Sequence, residues 1–143
     1  MEEGKVFSQL EQRILQDFIR VHIPRGGPYE IGGEDVDIIP QIERYASNLH
    51  PINRLGIRMI LRIFNWTPLF FLKGFRFTWM SDENKLRFLK DCAGSRIFIK
   101  RMQIFVPKFL VNMFYYADPR VEKAIGYYRH CNGPEQSETA KEA

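Results

Sequence analysis

The feature that most restricts this chain is its punctuation. Proline follows a residue suited to a helix start at His50-Pro51, Thr67-Pro68 and Asp118-Pro119, while Pro24-Arg25-Gly26-Gly27-Pro28, Gly74, Gly94 and Gly126 close apolar stretches. Proline fits the first turn of a helix, where its missing N–H would have had no partner, and glycine fits the residue just past the last turn. Between these marks apolar residues recur every three or four positions, the spacing of one helical face. The chain therefore reads as a series of helices joined by short links.

The first periodic stretch runs from Phe7 to His22, with Leu10, Ile14, Phe18 and Val21 in register. Val36, Ile39, Ile42 or Glu43, and Ala46 predict a second helix whose start Pro40 leaves open. After His50-Pro51, Ile57, Ile60, Leu61 and Phe64 line one side of a third helix and Arg54, Arg58 and Arg62 another. Thr67-Pro68 predicts a separate short aromatic helix through Leu72, followed by Phe75, Phe77 and Trp79 as a packed connector. Ser81 with Asp82 and Glu83 supplies a hydroxyl cap and first-turn acids for a helix to Ala93. Ser95 to Tyr116 carries Ile97, Met102, Phe105, Phe109, Val111 and Phe114, with Pro107 expected to kink it, and a last short helix follows Asp118-Pro119.

Seven helical pieces in 143 residues allow one core. The expected fold class is all-α: a single compact domain of six or seven helices in an irregular or orthogonal bundle over residues 1–130. A polar, disordered C-terminal tail over 131–143 is expected to follow.

Charge is unevenly distributed. Residues 1–49 hold 5 basic and 9 acidic side chains, residues 50–110 hold 12 and 3, and residues 111–143 hold 4 and 5. A basic middle suits nucleic acid, anionic lipid or an acidic protein surface, and charge alone does not choose. No helix-turn-helix spacing or other nucleic-acid motif accompanies it. The most apolar stretch, Ile63 to Leu72, is about half of the ~20 residues a membrane span needs. Cys92 and Cys131 stand far apart without a CxxC, so neither a disulfide framework nor a zinc site is indicated. The acidic start MEEGKVFSQLEQ shows no signal peptide and no twin arginines, from which a cytoplasmic location is expected, with any membrane association made through a partner.

No catalytic, cofactor-binding or metal-binding residues emerge from the sequence. No GxGxxG follows a strand and no GxxxxGK[ST] occurs. His22, His50 and His130 lie outside any HExxH, Cys-His or Ser-His pattern, and Glu34, Asp35 and Asp37 sit where acids favour a helix start. The sharper feature is Arg54, Arg58 and Arg62, three guanidinium groups at i, i+4 spacing that repel unless something acidic opposes them. Two readings stay open: a docking face for an acidic partner, or a row that pairs with the acidic N-terminal helices. On the first, reversing Arg58 and Arg62 to Glu should harm docking before folding. The aromatics Phe64, Trp66, Phe70, Phe71, Phe75, Phe77 and Trp79 are first of all packing residues, yet many for so small a core. Several left exposed together would form an apolar patch that marks an interface. The candidate partner-binding residues are thus Arg54, Arg58, Arg62, Trp66, Phe70, Phe71, Phe75 and Trp79.

Ile23-Pro24-Arg25-Gly26-Gly27 after the first helix, Phe77 with Ser81-Asp82-Glu83, Ser95-Arg96, and Phe114-Tyr115-Tyr116-Ala117-Asp118-Pro119-Arg120-Val121 with Ile125-Gly126-Tyr127 form an ordered set. Over residues 7–128 this set resembles the gluconate 2-dehydrogenase subunit 3 family. The resemblance implies a helical, non-catalytic accessory subunit. Its implied partner is a large flavoprotein dehydrogenase of the glucose-methanol-choline type, acting on alcohols or sugar acids, which carries FAD and the chemistry, often beside a haem-containing subunit. Many relatives carry a twin-arginine leader, which this sequence does not show. The alternative from another class is a basic helical module that binds nucleic acid or an anionic membrane surface.

Overall fold

A computed structural model describes residues 5–71 and 75–127. Its α-helices are α1 (Gln9–His22), α2 (Ile38–Ser47), α3 (Pro51–Phe70), α4 (Asp82–Ala93), α5 (Phe98–Tyr116) and α6 (Pro119–Ala124), with single 3-10 turns at Gly33–Asp35 and Phe77–Trp79 in the links. No strand occurs among the described residues, and the fold class is all-α. The expected tail over 131–143, His130, Cys131, and the helix end expected at Leu72 and Gly74 lie outside the described residues.

The helix starts have local causes. Ser8 and Glu11 form a capping box at α1: the Ser8 N–H donates to the Glu11 carboxylate (2.8 Å), and the Glu11 N–H donates to the Ser8 hydroxyl. Pro51 occupies the first turn of α3 behind His50, whose Nδ1 accepts from the Ile52 N–H. Ser81 caps α4 by accepting from the Asn84 N–H. Asp118 caps α6 by accepting from the Arg120 N–H at 2.9 Å, and Gly126, at φ +73°, turns the chain away after it. Pro40 falls in the first turn of α2, where it leaves no ladder bond unmade.

Two sequence expectations fail. Thr67-Pro68 does not open a new helix; α3 runs through it to Phe70, with Pro68 in its last turns. The ring removes the amide that would bond to the Phe64 carbonyl, a cost of about 3 kcal/mol in a helix interior. Burial of Phe64, Asn65, Thr67 and Pro68 on one side of the helix opposes that cost. Likewise α5 begins at Phe98 rather than Ser95, because the Ser95 hydroxyl takes the Ile97 N–H (3.1 Å) in a turn before the helix. Pro107 lies inside α5 without ending it.

The core forms where α1, α3, α4 and the Phe77 turn converge. Phe18, Phe64, Phe77 and Phe88 are fully buried there, with ring centroids 4.7 Å apart for Phe64–Phe77, 5.8 Å for Phe64–Phe88 and 5.9 Å for Phe18–Phe64. Burying each such ring is worth roughly 1.5–3 kcal/mol. Phe77 is thus a core residue held on a connector. The helix α5 packs against α2, α3 and α4, bringing Ile104, Leu110, Val111 and Tyr115 inward.

Candidate functional site

Each of the three arginines on α3 has an internal partner. Arg58 and Arg62 direct their Nε groups to Glu11 of α1, at 3.1 Å and 2.8 Å, and the Glu11 side chain has no solvent exposure. The capping box fixes Glu11 in place, so one carboxylate closes a helix end and neutralises two cations. Arg54 donates from one Nη to the carbonyls of Ser47 (2.9 Å), the last residue of α2, and Leu49 (3.2 Å) just after it, where a cation suits a helix C-terminus. The row thus faces the N-terminal helices, the second of the two readings. Reversing Arg58 and Arg62 to Glu would set two carboxylates against the buried Glu11, so folding is a target of that change as well as docking.

A second ionic cluster ties α1 to α4. Arg20 binds both oxygens of Asp82 (3.1 and 2.9 Å) and one oxygen of Asp17 (2.9 Å). The buried Lys85 ammonium sits 3.1 Å from the other Asp17 oxygen. The Arg20 hydrogen bond holds the Asp82 carboxyl below its usual range, and the same contact raises Arg20. Asp17, Arg20 and Lys85 line an open cavity of about 750 Å³ shared with Arg13, Glu34 and Asp37. Inside it Lys85 and Asp17 form a buried ion pair that ties α1 to α4.

The remaining polar candidates are also structural. Burial lowers His22, whose Nε2 lies 3.1 Å from Asn112 Oδ1, and His50 caps α3. The Gly32 N–H and the Arg25 guanidinium bind Asp35 and lower its carboxyl. No group of three or more His, Cys, Asp or Glu side chains among the described residues is arranged to hold a metal ion.

On α3 and α5 one outward face is apolar. On α3 the residues Ile52, Leu55, Met59, Ile63, Trp66 and Phe70 recur at three and four positions, and all are exposed. On α5 Phe98, Met102, Phe105 and Phe109 do the same; Phe105 and Phe109 are stacked with centroids 6.1 Å apart. An open groove of about 530 Å³ between Phe105, Phe109, Met113 and Tyr116 carries Lys108 at its edge. The periodic set read in α5 from sequence therefore divides between two faces: Val111 is buried, while Met102, Phe105 and Phe109 point to solvent. Thr67 of α3 donates to Gln103 of α5 at 2.6 Å, which joins the two helices beside their outward residues.

The five aromatic candidates gather at one end of the molecule. The Arg76 guanidinium lies over Trp66 (3.9 Å to the ring centroid) and Trp79 (4.9 Å). Phe71, Phe75 and Trp79 border one open cavity, and Lys100 at the start of α5 stands 4.8 Å from the Phe71 ring centroid. Phe70 is 79% exposed, Trp79 65% and Phe75 60%. The structure thus unites Trp66, Phe71, Phe75 and Trp79 around shared cations and turns Arg58 and Arg62 toward Glu11. Sequence reasoning did not single out Phe98, Ile99 or Lys100 as surface residues; the only signal was a dense apolar run beside basic residues.

Comparison with protein-family models, with curated proteins and with solved structures returned no match.

Proposed function

We propose that this chain is a non-catalytic accessory subunit that works docked on a larger FAD-containing dehydrogenase of the glucose-methanol-choline type, with flavin and chemistry in that partner. The observation that carries the docking role is the outward apolar stripe along α3 and α5, from Ile52 to Trp66 and from Met102 to Phe109. A helix apolar on its inner and outer sides belongs in an interior, and here only one side is covered by the described residues. The flavoprotein as occupant rests on the ordered motifs that resemble the small-subunit family. The self-paired ionic clusters accord with an accessory role, since the buried charges engage one another.

The test is affinity purification of the full chain from its native source, with an absorbance spectrum and identification of the co-eluting protein. A stoichiometric flavin-bearing chain that is lost with Phe105→Ser/Phe109→Ser supports the reading. Elution alone, or with a partner that carries no flavin, overturns it.

A further inference from the structure

We propose that the aromatic end of this molecule rests directly on an anionic lipid bilayer, with its rings at the acyl boundary and its cations at the lipid phosphates. The inference goes beyond docking on a flavoprotein and stands without it. It concerns the end of the bundle, where α3 finishes and α5 starts, and not the groove along α5.

Three observations carry it. First, the patch is contiguous: Trp66, Arg76 and Trp79 are in contact, Trp79, Phe75 and Phe71 share a cavity, and Phe71 lies under Lys100. Lys100 follows Phe98 and Ile99, which are 64% and 69% exposed. Second, large apolar side chains alternate here with cations. A bilayer interface accepts that mixture, because rings and aliphatic stems enter the boundary while guanidinium and ammonium groups reach the headgroups. The core of a protein–protein interface tends instead to exclude lysine. Third, the segment is strongly basic: residues 50–110 hold 12 basic side chains against 3 acidic ones. The acids of residues 50–110 all lie on α4, where Asp82 is bound by Arg20 and Glu83 by Arg87. A surface of lipid phosphates completes the charge balance. Among the described residues no helix is long and apolar enough to cross a membrane, so the contact is peripheral.

The same mixture of rings and cations suits single-stranded nucleic acid. That occupant, however, calls for a basic groove along which the backbone runs. Here Phe70, Phe98 and Ile99 project as an apolar end with the cations beside them.

The test uses the purified full chain with vesicles of phosphatidylcholine alone and of phosphatidylcholine mixed with phosphatidylglycerol, at low and high salt. The expected result is co-sedimentation with the anionic vesicles only, weaker at high salt, with tryptophan emission shifted to shorter wavelength on binding. Phe70→Ser/Phe75→Ser and, separately, Lys100→Glu combined with Arg101→Glu, Arg101 being the exposed cation next to it on α5, should each weaken vesicle binding by at least about tenfold with an unchanged thermal melt. The charge variant keeps the test open if the aromatic one folds poorly. Absence of binding to anionic vesicles, binding that both folded variants retain, or displacement of the vesicles by a short oligonucleotide overturns the proposal. So does loss of flavoprotein co-purification in Phe70→Ser/Phe75→Ser without any vesicle binding by the wild type, which would assign the patch to the protein partner. Vesicle binding without a flavoprotein, or the reverse, separates the two proposals.

Discussion

The two longitudinal sides of α3 follow opposite rules. On one side Arg58 and Arg62, themselves 34% and 54% exposed, lie over a carboxylate sealed from solvent, while the other presents Ile52, Met59, Ile63 and Trp66 to solvent. In an ordinary surface helix the arginines would face water and the isoleucines the core. The inner charges are tolerated because Glu11 is already fixed by Ser8, so both guanidinium groups find a preset partner. Among the described residues nothing covers the outer apolar side. A helix face can therefore be structural while charged and exposed while apolar, and polarity alone does not say which side is in use.

The largest expected effect tests the inner side. Arg58→Ala with Arg62→Ala strands the Glu11 carboxylate in the interior and should cost about 3–5 kcal/mol, read as a lowered denaturation midpoint. An unchanged midpoint would show that the two sides do not differ as described. Lys85→Met should cost less, about 1–3 kcal/mol, because Asp17 retains Arg20 when its second cation is gone. A loss as large as that of the double arginine change would make the α1–α4 cluster the dominant one.

The third effect is a pH dependence. Burial depresses His22 from its ordinary 6.5 while Asn112 opposes the shift, so the folded state holds fewer protons there than the unfolded one. Its contribution is complete above pH 6.5 and is lost as the pH falls through that value toward the lower folded pKa. His22→Gln, which keeps an amide toward Asn112, should flatten the melting temperature between pH 7 and pH 5 relative to wild type. An identical slope in both proteins would locate the titration elsewhere. The smallest effect on folding belongs to the outer side: Met59→Gln with Phe109→Gln should move stability by only ~0.5 kcal/mol or less. The same pair should abolish flavoprotein co-purification. A large loss of stability here would place these residues in the core.

Much of the fold was legible because helix starts are written locally. Ser81, His50-Pro51 and Asp118-Pro119 each carry a cap within three residues of the turn it closes, and all three mark real starts. Thr67-Pro68 carries the same letters, but there tertiary burial of Phe64 and Asn65 keeps the preceding helix running. Ser8-Gln9-Leu10-Glu11 is a capping box too, a local signal that reading the first helix from apolar spacing alone passed over. What local spacing could not supply is that Glu11 would meet Arg58 and Arg62, 47 and 51 residues away. The aromatic end shows the same limit: Phe64 and Phe77 are buried and Phe70 and Phe75 exposed, though all four are phenylalanines in one apolar run. Sequence gives each ring its affinity for an interior; only packing decides which ring obtains one.

Pro68 has a consequence for motion. With no amide at that position the Phe64 carbonyl lacks its ladder partner, and the residues beyond it, Leu69 and Phe70, are exposed. The final turn of α3 can then open while Leu61 and Phe64 stay locked in the core, a sub-global fluctuation with a low free energy of its own. Amide hydrogens of Leu69, Phe70 and Phe71 should exchange with solvent deuterium well ahead of those at Leu61 to Phe64. The rings at this end can thereby change direction on meeting a surface without disturbing the bundle that carries them.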